Sequence, residues 1–270
     1  MRAPFFRLYY GPAFRAAQIE RRTLHVPAAL GAFDGKTLLF MSDLHMSDMF
    51  PEAAMERLLA QAGALRPDVL LIGGDLAETE AYQARAVEML GKLRPELGTF
   101  AVVGNNDGKR LKRRGAVLPA ALRRAGITPL IDAEASVETP GGRLIVAGLN
   151  ALIERTRVRV TFFADSGEGD LCILMAHYPK SLTQYSGRCA KPPHLALAGH
   201  THGGQFRFLG LTPYSIGFEL SKTDRGLPVH GWTDVPGFPL LVSPGVGTSR
   251  IPFRLNVPPT VHLITIRAGA

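Results

Sequence analysis

Residues 38–45 read LLFMSDLH: four apolar residues, a serine, then Asp43 and, two positions on, His45. A short unbroken apolar run marks a strand buried on both faces. Polar residues at its end therefore stand where the strand leaves the core. The same arrangement recurs along the chain. VLLIGGDL (69–76) ends on Asp75, FAVVGNND (100–107) on Asn105, CILMAH (172–177) on His177, and LALAGHTH (195–202) on His200 and His202. Four of the eight histidines stand in these positions, while His25, His194, His230 and His262 fall outside the pattern.

Between the early strands lie helical patterns, PEAAMERLLAQAGAL (51–65) and EAYQARAVEMLGKL (80–93), and strand-rich sequence follows in GRLIVAGL, PLLVSPG and VHLITIR. Strand-helix-strand units followed by further strands predict an α/β layered domain. Ligand sites in such sheets form at the carboxyl ends of strands, where loops converge. A core histidine or an aspartate capping a helix is the plainer explanation of any single one of these residues. Five strand ends carrying only metal-capable side chains resist that explanation.

The donor set selects the metal class. Imidazoles, carboxylates and an amide without thiolates suit Mn, Fe, Zn, Ni or Co rather than calcium. Seven donors exceed what one ion needs. A shared carboxylate would hold two ions about 3.5–4 Å apart, the spacing used in phosphoryl transfer. Two carboxylates against two divalent cations leave a positive surplus that suits a phosphate anion.

The rest of the sequence is compatible with this. A chain of 270 residues, 46% hydrophobic, can bury one sizeable core. Its formal charge of +8 favours phosphate-bearing or membrane-surface partners. Part of that charge sits in GKRLKRRG (108–115), where Lys109 and Arg110 follow the Asn105 motif as candidate phosphate contacts. A solvated loop is the plainer reading of that run. Cys172 and Cys189 are too few for a disulfide framework, which fits a reducing compartment. Residues 1–35 read as an arm, with Phe5, Phe6, Leu8, Tyr9, Tyr10 and Phe14 interleaved with Arg2, Arg7 and Arg15, and residues 36–270 as the domain. The arm has no continuous apolar segment of membrane-spanning or signal length. Its composition fits either an interfacial anchor or an arm that packs on the domain or makes a dimer contact.

The order D-x-H, GD, GN-x-D, H and GHTHGG resembles the calcineurin-like metallophosphoesterases, over about Lys36 to Arg267. The resemblance implies a four-layer β-sandwich of two mixed sheets flanked by helices. It implies one divalent ion on Asp43, His45, Asp75 and His202, and a second on Asp75, Asn105, His177 and His200, with Mn2+ favoured. A hydroxide bridging the two ions would then attack phosphorus. The tail from Ser243 is similar to that of a bacterial branch of the family.

One position departs from the family pattern. The usual motif is GNH[DE], and its histidine is replaced here by Asn106. An amide donates a hydrogen bond but delivers no proton at neutral pH. Either catalysis has been lost and the chain is a metal-binding module, or the leaving group needs no acid. Phosphate, whose second pKa is about 6, leaves far more readily than an alkoxide. Asn106, acting with Asp75, therefore points to a phosphoanhydride or activated ester. A nucleotide-linked lipid such as UDP-2,3-diacylglucosamine, handled at the cytoplasmic face of a membrane, fits the basic charge and the aromatic arm. A general phosphodiesterase or nuclease is the rival, although no nucleic-acid module is recognisable.

Lys180, Arg250 and Arg254 are further candidate substrate contacts, against surface or structural roles. The apolar residues of GGQFRFLGLTPYSIGF (203–218) would line an acyl groove or pack a long loop. Asp107 is expected to cap the next turn or orient a ligand. No obligate protein partner is expected.

Overall fold

The computed structural model describes residues 7–10, 14–108, 117–150, 161–186, 191–214 and 228–269. Two six-stranded mixed sheets face each other. The first contains β2 (Gln18–Val26), β3 (Thr37–Met41), β4 (Val69–Ile72), β5 (Thr99–Val102), β6 (Ile127–Leu130) and β14 (Thr260–Ala268), in the order β2-β14-β3-β4-β5-β6. The second contains β7 (Ala133–Thr139), β8 (Gly142–Leu149), β9 (Leu171–Ala176), β10 (Leu195–Ala198), β11 (Gly231–Val235) and β12 (Phe238–Val242), in the order β11-β12-β10-β9-β8-β7. A short pair, β1 (Leu8–Tyr10) with β13 (Phe253–Leu255), stands apart from both.

The four-layer sandwich follows from which strands are apolar throughout. In β3, β4, β5, β9 and β10 nearly every residue is buried, because each strand is covered on both faces. Leu38, Phe40, Leu71 and Val102 of the first sheet meet Val146, Ile173, Met175 and Leu197 of the second in the central core. The helices α1 (Glu52–Ala64), α2 (Glu80–Leu90) and α3 (Val117–Arg124) cover the outer face of the first sheet. Helix α4 (Pro179–Ser186) covers that of the second, through Leu182 and Tyr185. In α1 the buried residues are Ala54, Met55, Leu58, Leu59 and Ala62, the stripe a 3.6-residue period requires. Each fully buried Leu or Phe contributes roughly 1.5–3 kcal/mol. By contrast β7 alternates between half-buried and exposed positions, as an edge strand wetted on one face does.

The boundary drawn at residue 35 does not mark a break in the sheet. Strand β2 pairs in parallel with β14 along its whole length, from Gln18↔Thr260 to Val26↔Ala268. The reason is legible locally: QIERRTLHV carries β-branched and apolar residues that cover the edge of β14. Residues 1–6 and 11–13 lie outside the described residues.

Candidate metal centre

Strands β3, β4, β5, β9 and β10 all run in the same direction within their sheets, so their carboxyl ends gather at one end of the sandwich. There the chain abandons regular geometry. Asp43, His45, Asp75, His200 and His202 all have positive φ, between 47° and 70°. Asp and His tolerate this left-handed region better than most residues, and such conformations collect at functional sites. The backbone around them is tied across strand ends: Asp43 N–H donates to Gly74 O and His45 N–H to Asp75 O, each at 3.0 Å, and Gly247 N–H donates to Asp43 O at 2.7 Å.

Two glycines of the motifs are dictated by close approach. A Cβ on Gly104 would fall 2.1 Å from Asp75 Oδ1, and one on Gly199 would fall 2.4 Å from Asp43 Oδ2. The carboxylates occupy the space a side chain would need.

The donor atoms converge. His177 Nδ1 donates to Gly73 O at 2.8 Å, which leaves its Nε2 lone pair facing inward. That Nε2 lies 3.1 Å from Asn105 Oδ1, 3.2 Å from His200 Nδ1 and 3.4 Å from Asp75 Oδ2. On the other side of Asp75, His45 Nε2 lies 3.5 Å from Asp75 Oδ2 and 3.9 Å from Asp43 Oδ1, and His202 Nε2 lies 3.5 Å from Asp43 Oδ1. His45 Nε2 is buried with no hydrogen-bond partner. Ligands about 2.0–2.2 Å from an ion sit about 3–3.5 Å from one another, close to these separations. Asp75 Oδ2 approaches both groups, the position of a shared carboxylate. This donor set fits two divalent cations.

The electrostatics also favour a cation. Burial disfavours the charged form of His177, yet Asp75 and then Asp43 outweigh it and push its pKa up to about 10. Burial opposes charge on His45 as well, but Glu78, Asp75 and Asp43 raise it. Burial raises the Asp43 carboxyl. For Asp75 burial acts in the same direction but loses to the His177 and His45 imidazoles and the Asn106 N–H, so it ionises well below the usual range. Burial and repulsion from His177 lower His200 to about 3. Burial, His45 and Arg254 hold His202 well below its ordinary value. Two of the imidazoles are thus kept neutral, as metal ligation requires.

Residues outside the seven hold this geometry. Glu78 accepts from His45 Nδ1, which fixes the tautomer that aims Nε2 inward. Ser42 Oγ donates to Asp43 Oδ2 at 2.5 Å. Asp107 accepts from the N–H groups of Asp75 (2.7 Å), Gly104 (3.1 Å) and Leu76 (3.2 Å) and from Gln83 Nε2 (2.9 Å). It clamps the ends of β4 and β5 together. Burial and the neighbouring Asp75 push its pKa up to about 6. Asn106 donates through its backbone N–H to Asp75 Oδ1 (2.8 Å) and through its amide to Asp75 Oδ2 (3.2 Å).

A cavity of about 510 Å³ opens over the cluster. Asp75, Asn105, Asn106, His200 and His202 form its floor, and Phe206, Tyr214, Arg250 and Ile251 stand in its walls. Of the expected substrate contacts, Arg250 and Asn106 reach this cavity. Arg254 does not, which corrects the expectation for it. Its guanidinium is completely buried, donating to Gly247 O through Nε (2.7 Å) and Nη2 (2.5 Å) and to His202 O (3.3 Å). It supports His202 from behind. Lys180 lies in the first turn of α4, is half buried and is not in the cavity lining. Lys109 and Arg110 lie outside the described residues, as do residues 215–218 of the expected acyl groove.

Gln205 is the residue sequence reasoning passed over. Buried with φ +58°, it donates to Ile251 O (2.9 Å) and Phe253 O (3.0 Å) and accepts from Ser249 N–H (2.9 Å). These bonds fix the loop that carries Arg250. His262 bridges Ser243 (3.0 Å) and Glu20 (3.3 Å) in an arrangement reminiscent of a hydrolytic triad, but Ser243 is fully buried and no substrate reaches it.

The family model of the calcineurin-like phosphoesterases matches residues 36–204, a span that carries all seven donors. The chain belongs to that family. It is a metal-dependent phosphoesterase. Among curated relatives of this phosphoesterase, an uncharacterised metallophosphoesterase from Aquifex aeolicus is 30% identical, covering 84% of this chain and 83% of its own length. The phosphodiesterase YaeI of Escherichia coli is 29% identical over 85% of this chain and 81% of its own. A transmembrane protein with a metallophosphoesterase domain from Danio rerio is 30% identical over 83% of this chain, which spans 51% of that longer protein. Among the described residues of this phosphoesterase, no helix is long and apolar enough to cross a membrane.

Proposed function

We propose that this phosphoesterase hydrolyses a phosphoanhydride or activated phosphodiester, and that its substrate is a nucleotide-linked lipid of the UDP-2,3-diacylglucosamine type. When bound, two divalent cations, with Mn2+ favoured, supply Lewis-acid activation of water and neutralise phosphoryl charge. The protein does the rest. Asp75 and Asp43 would set the negative field that holds both cations, and Asn105, His45, His177, His200 and His202 would complete their shells. Arg250, exposed at the wall of the cavity, meets the phosphate oxygens.

The observation that carries the substrate class is Asn106. It lies at the cavity floor, hydrogen-bonded to Asp75, at the sequence position where the family pattern carries a histidine. Its amide orients and donates a hydrogen bond, so the departing oxygen must be stable as an anion. Phosphate meets that condition and an alkoxide does not. The relative named a phosphodiesterase supports the phosphodiester half of this reading. The cavity, at about 510 Å³, accommodates a pyrophosphate with one of its arms. Two acyl chains exceed that space and extend past Phe206 and Ile251.

The test is hydrolysis by the Mn-loaded protein of a UDP-linked diacyl sugar in micelles and of bis-p-nitrophenyl phosphate, side by side, with Asn106→His in parallel. The lipid nucleotide should be strongly preferred. Asn106→His should raise turnover of alkyl diesters by about a hundredfold, the low end of what a positioned general acid yields, and change the anhydride rate far less. Equal gains on both classes would defeat the leaving-group argument, and preference for the small diester would retire the lipid substrate.

A further inference from the structure

Three segments distant in sequence are laced together beside the mouth of the metal cavity. Arg7 N–H donates to Asn256 Oδ1 (2.7 Å) and Asn256 N–H to Arg7 O (2.8 Å). On the other side, Asn256 Nδ2 donates to Arg207 O (2.9 Å) and Arg207 N–H to Leu255 O (2.8 Å). From this platform residues 208–211 project as a tight turn, closed by reciprocal bonds between Phe208 and Leu211 at 2.8 and 2.9 Å.

The turn carries the wrong residue for a turn in water. Leu209 is 73% exposed, and its φ is +47°. Asn, Asp or Gly would occupy this left-handed position at lower cost and hydrate better. A leucine here loses on both counts unless its side chain has somewhere to go. It is not alone: Leu8, Phe208, Leu211 and Ile251 are each about half exposed in the same three segments. Contiguous exposed apolar groups mark an interaction surface.

The charges around the patch identify the partner. Arg7, Arg207 and Arg250 are all exposed, and residues 7–10, 205–214 and 249–256 contain no aspartate or glutamate. A second copy docking on this face would oppose arginine to arginine. An anionic bilayer would receive the leucines and phenylalanine below its headgroups while the arginines meet lipid phosphates.

We infer that this face, with the 208–211 turn as its tip, seats the protein on an anionic membrane surface. Phe206, Arg250 and Ile251 belong to the cavity wall, so seating would bring the cavity mouth to the headgroup layer. The surface deepens the lipid-substrate reading and gives it a route of entry. Its test is nevertheless independent of turnover.

The experiment is co-sedimentation of the full chain with vesicles of phosphatidylcholine alone and of phosphatidylcholine mixed with phosphatidylglycerol. Binding should be confined to the anionic vesicles and should weaken with salt. Leu209→Asp should lower vesicle affinity by about 30-fold, the worth of roughly half the burial of a leucine plus a repelled charge. Leu209→Asn, which suits φ +47° better than leucine, should leave the fold at least as stable and still lose binding. Arg7→Gln with Arg207→Gln should cost about 25-fold on anionic vesicles, at about fivefold per arginine. All of these variants should hydrolyse bis-p-nitrophenyl phosphate like the wild type, which separates a failed membrane surface from a failed active site. Absence of vesicle binding, binding indifferent to Leu209, or a wild-type dimer that Leu209→Asp dissociates would each overturn the inference.

Discussion

Gln205→Ala is the most informative single perturbation of this fold, because the structure fixes its consequences in number and place. The side chain makes three hydrogen bonds, all to the backbone of the 249–253 loop and all between 2.9 and 3.0 Å. At about 1 kcal/mol for each neutral bond, their loss costs about 3 kcal/mol. Alanine keeps the unfavourable left-handed φ, whereas Gln205→Gly relieves it by about 1–2 kcal/mol. Glycine should therefore destabilise by about 1–2 kcal/mol and alanine by about 3. Urea unfolding followed by circular dichroism, with metals chelated so that ligand binding does not mask the difference, reads both values. The loop also carries Arg250 into the cavity. KM for bis-p-nitrophenyl phosphate should rise several-fold in Gln205→Ala, with kcat changed less, because the metal ligands are untouched. Equal destabilisation by Ala and Gly would refute the backbone argument, and a loss below about 1 kcal/mol would refute the role of the three bonds.

Glu78→Gln keeps an acceptor for His45 Nδ1 but removes its charge, and isothermal titration should show divalent-metal affinity reduced about tenfold. Gly104→Ala would place a methyl group 2.1 Å from Asp75 Oδ1, so the carboxylate must move. Metal binding should be lost while the far-ultraviolet spectrum stays native, and retained stoichiometry would contradict the close approach. Away from the site, the hydrogen bond from Arg143 holds Asp170 down at about 2, below the roughly 3.9 of an unfolded aspartate. A depressed acid stabilises above its unfolded pKa and loses that contribution as pH falls through its folded one. Arg143→Ala should thus be less stable than wild type at neutral pH, with the gap in urea midpoints closing between about pH 4 and pH 2.

The residues legible in the sequence were those whose chemistry and position coincide. Asp43, Asp75, Asn105, His177, His200 and His202 each stand within four residues of the end of an apolar run, so reading the runs as strands places the donors together. The α/β layering was legible for the same reason, since strands covered on both faces cannot alternate, whereas the count of four layers came from the family resemblance alone. What escaped was whatever depends on tertiary closure. Arg254 looked like a substrate contact because an arginine in a polar loop ordinarily faces solvent. It is buried because three carbonyl-directed bonds replace its hydration, and nothing in TSRIPFR announces those carbonyls. Gln205 and Glu78 act on backbone and imidazole atoms 33 to 48 residues away, beyond any local pattern. Asp107 read as a cap or a group that orients a ligand, and it does hold Asp75, but its bonds to the N–H groups of Asp75 and Leu76, beyond the end of β4, were not foreseeable from its own segment.

The left-handed ligands explain why these supports are needed. Five of the seven donors sit at positive φ, at a cost of about 1 kcal/mol or more each. The sum is comparable to the net stability of a whole domain. Such a cluster persists only where the surroundings allow no alternative. Asp107 fixes the peptide N–H of Asp75, Glu78 fixes the ring of His45, and Arg254 fixes the carbonyl of His202. Each support acts on a different ligand, and none occupies a coordinating position. Leu209 shares the positive φ of the ligands but lacks their reason for it, since no clamp surrounds a residue that is 73% exposed. At the metal centre strain is held by buried hydrogen bonds. At the tip of the turn it is tolerated by a leucine facing outward, which is where an external apolar phase would supply what the protein does not.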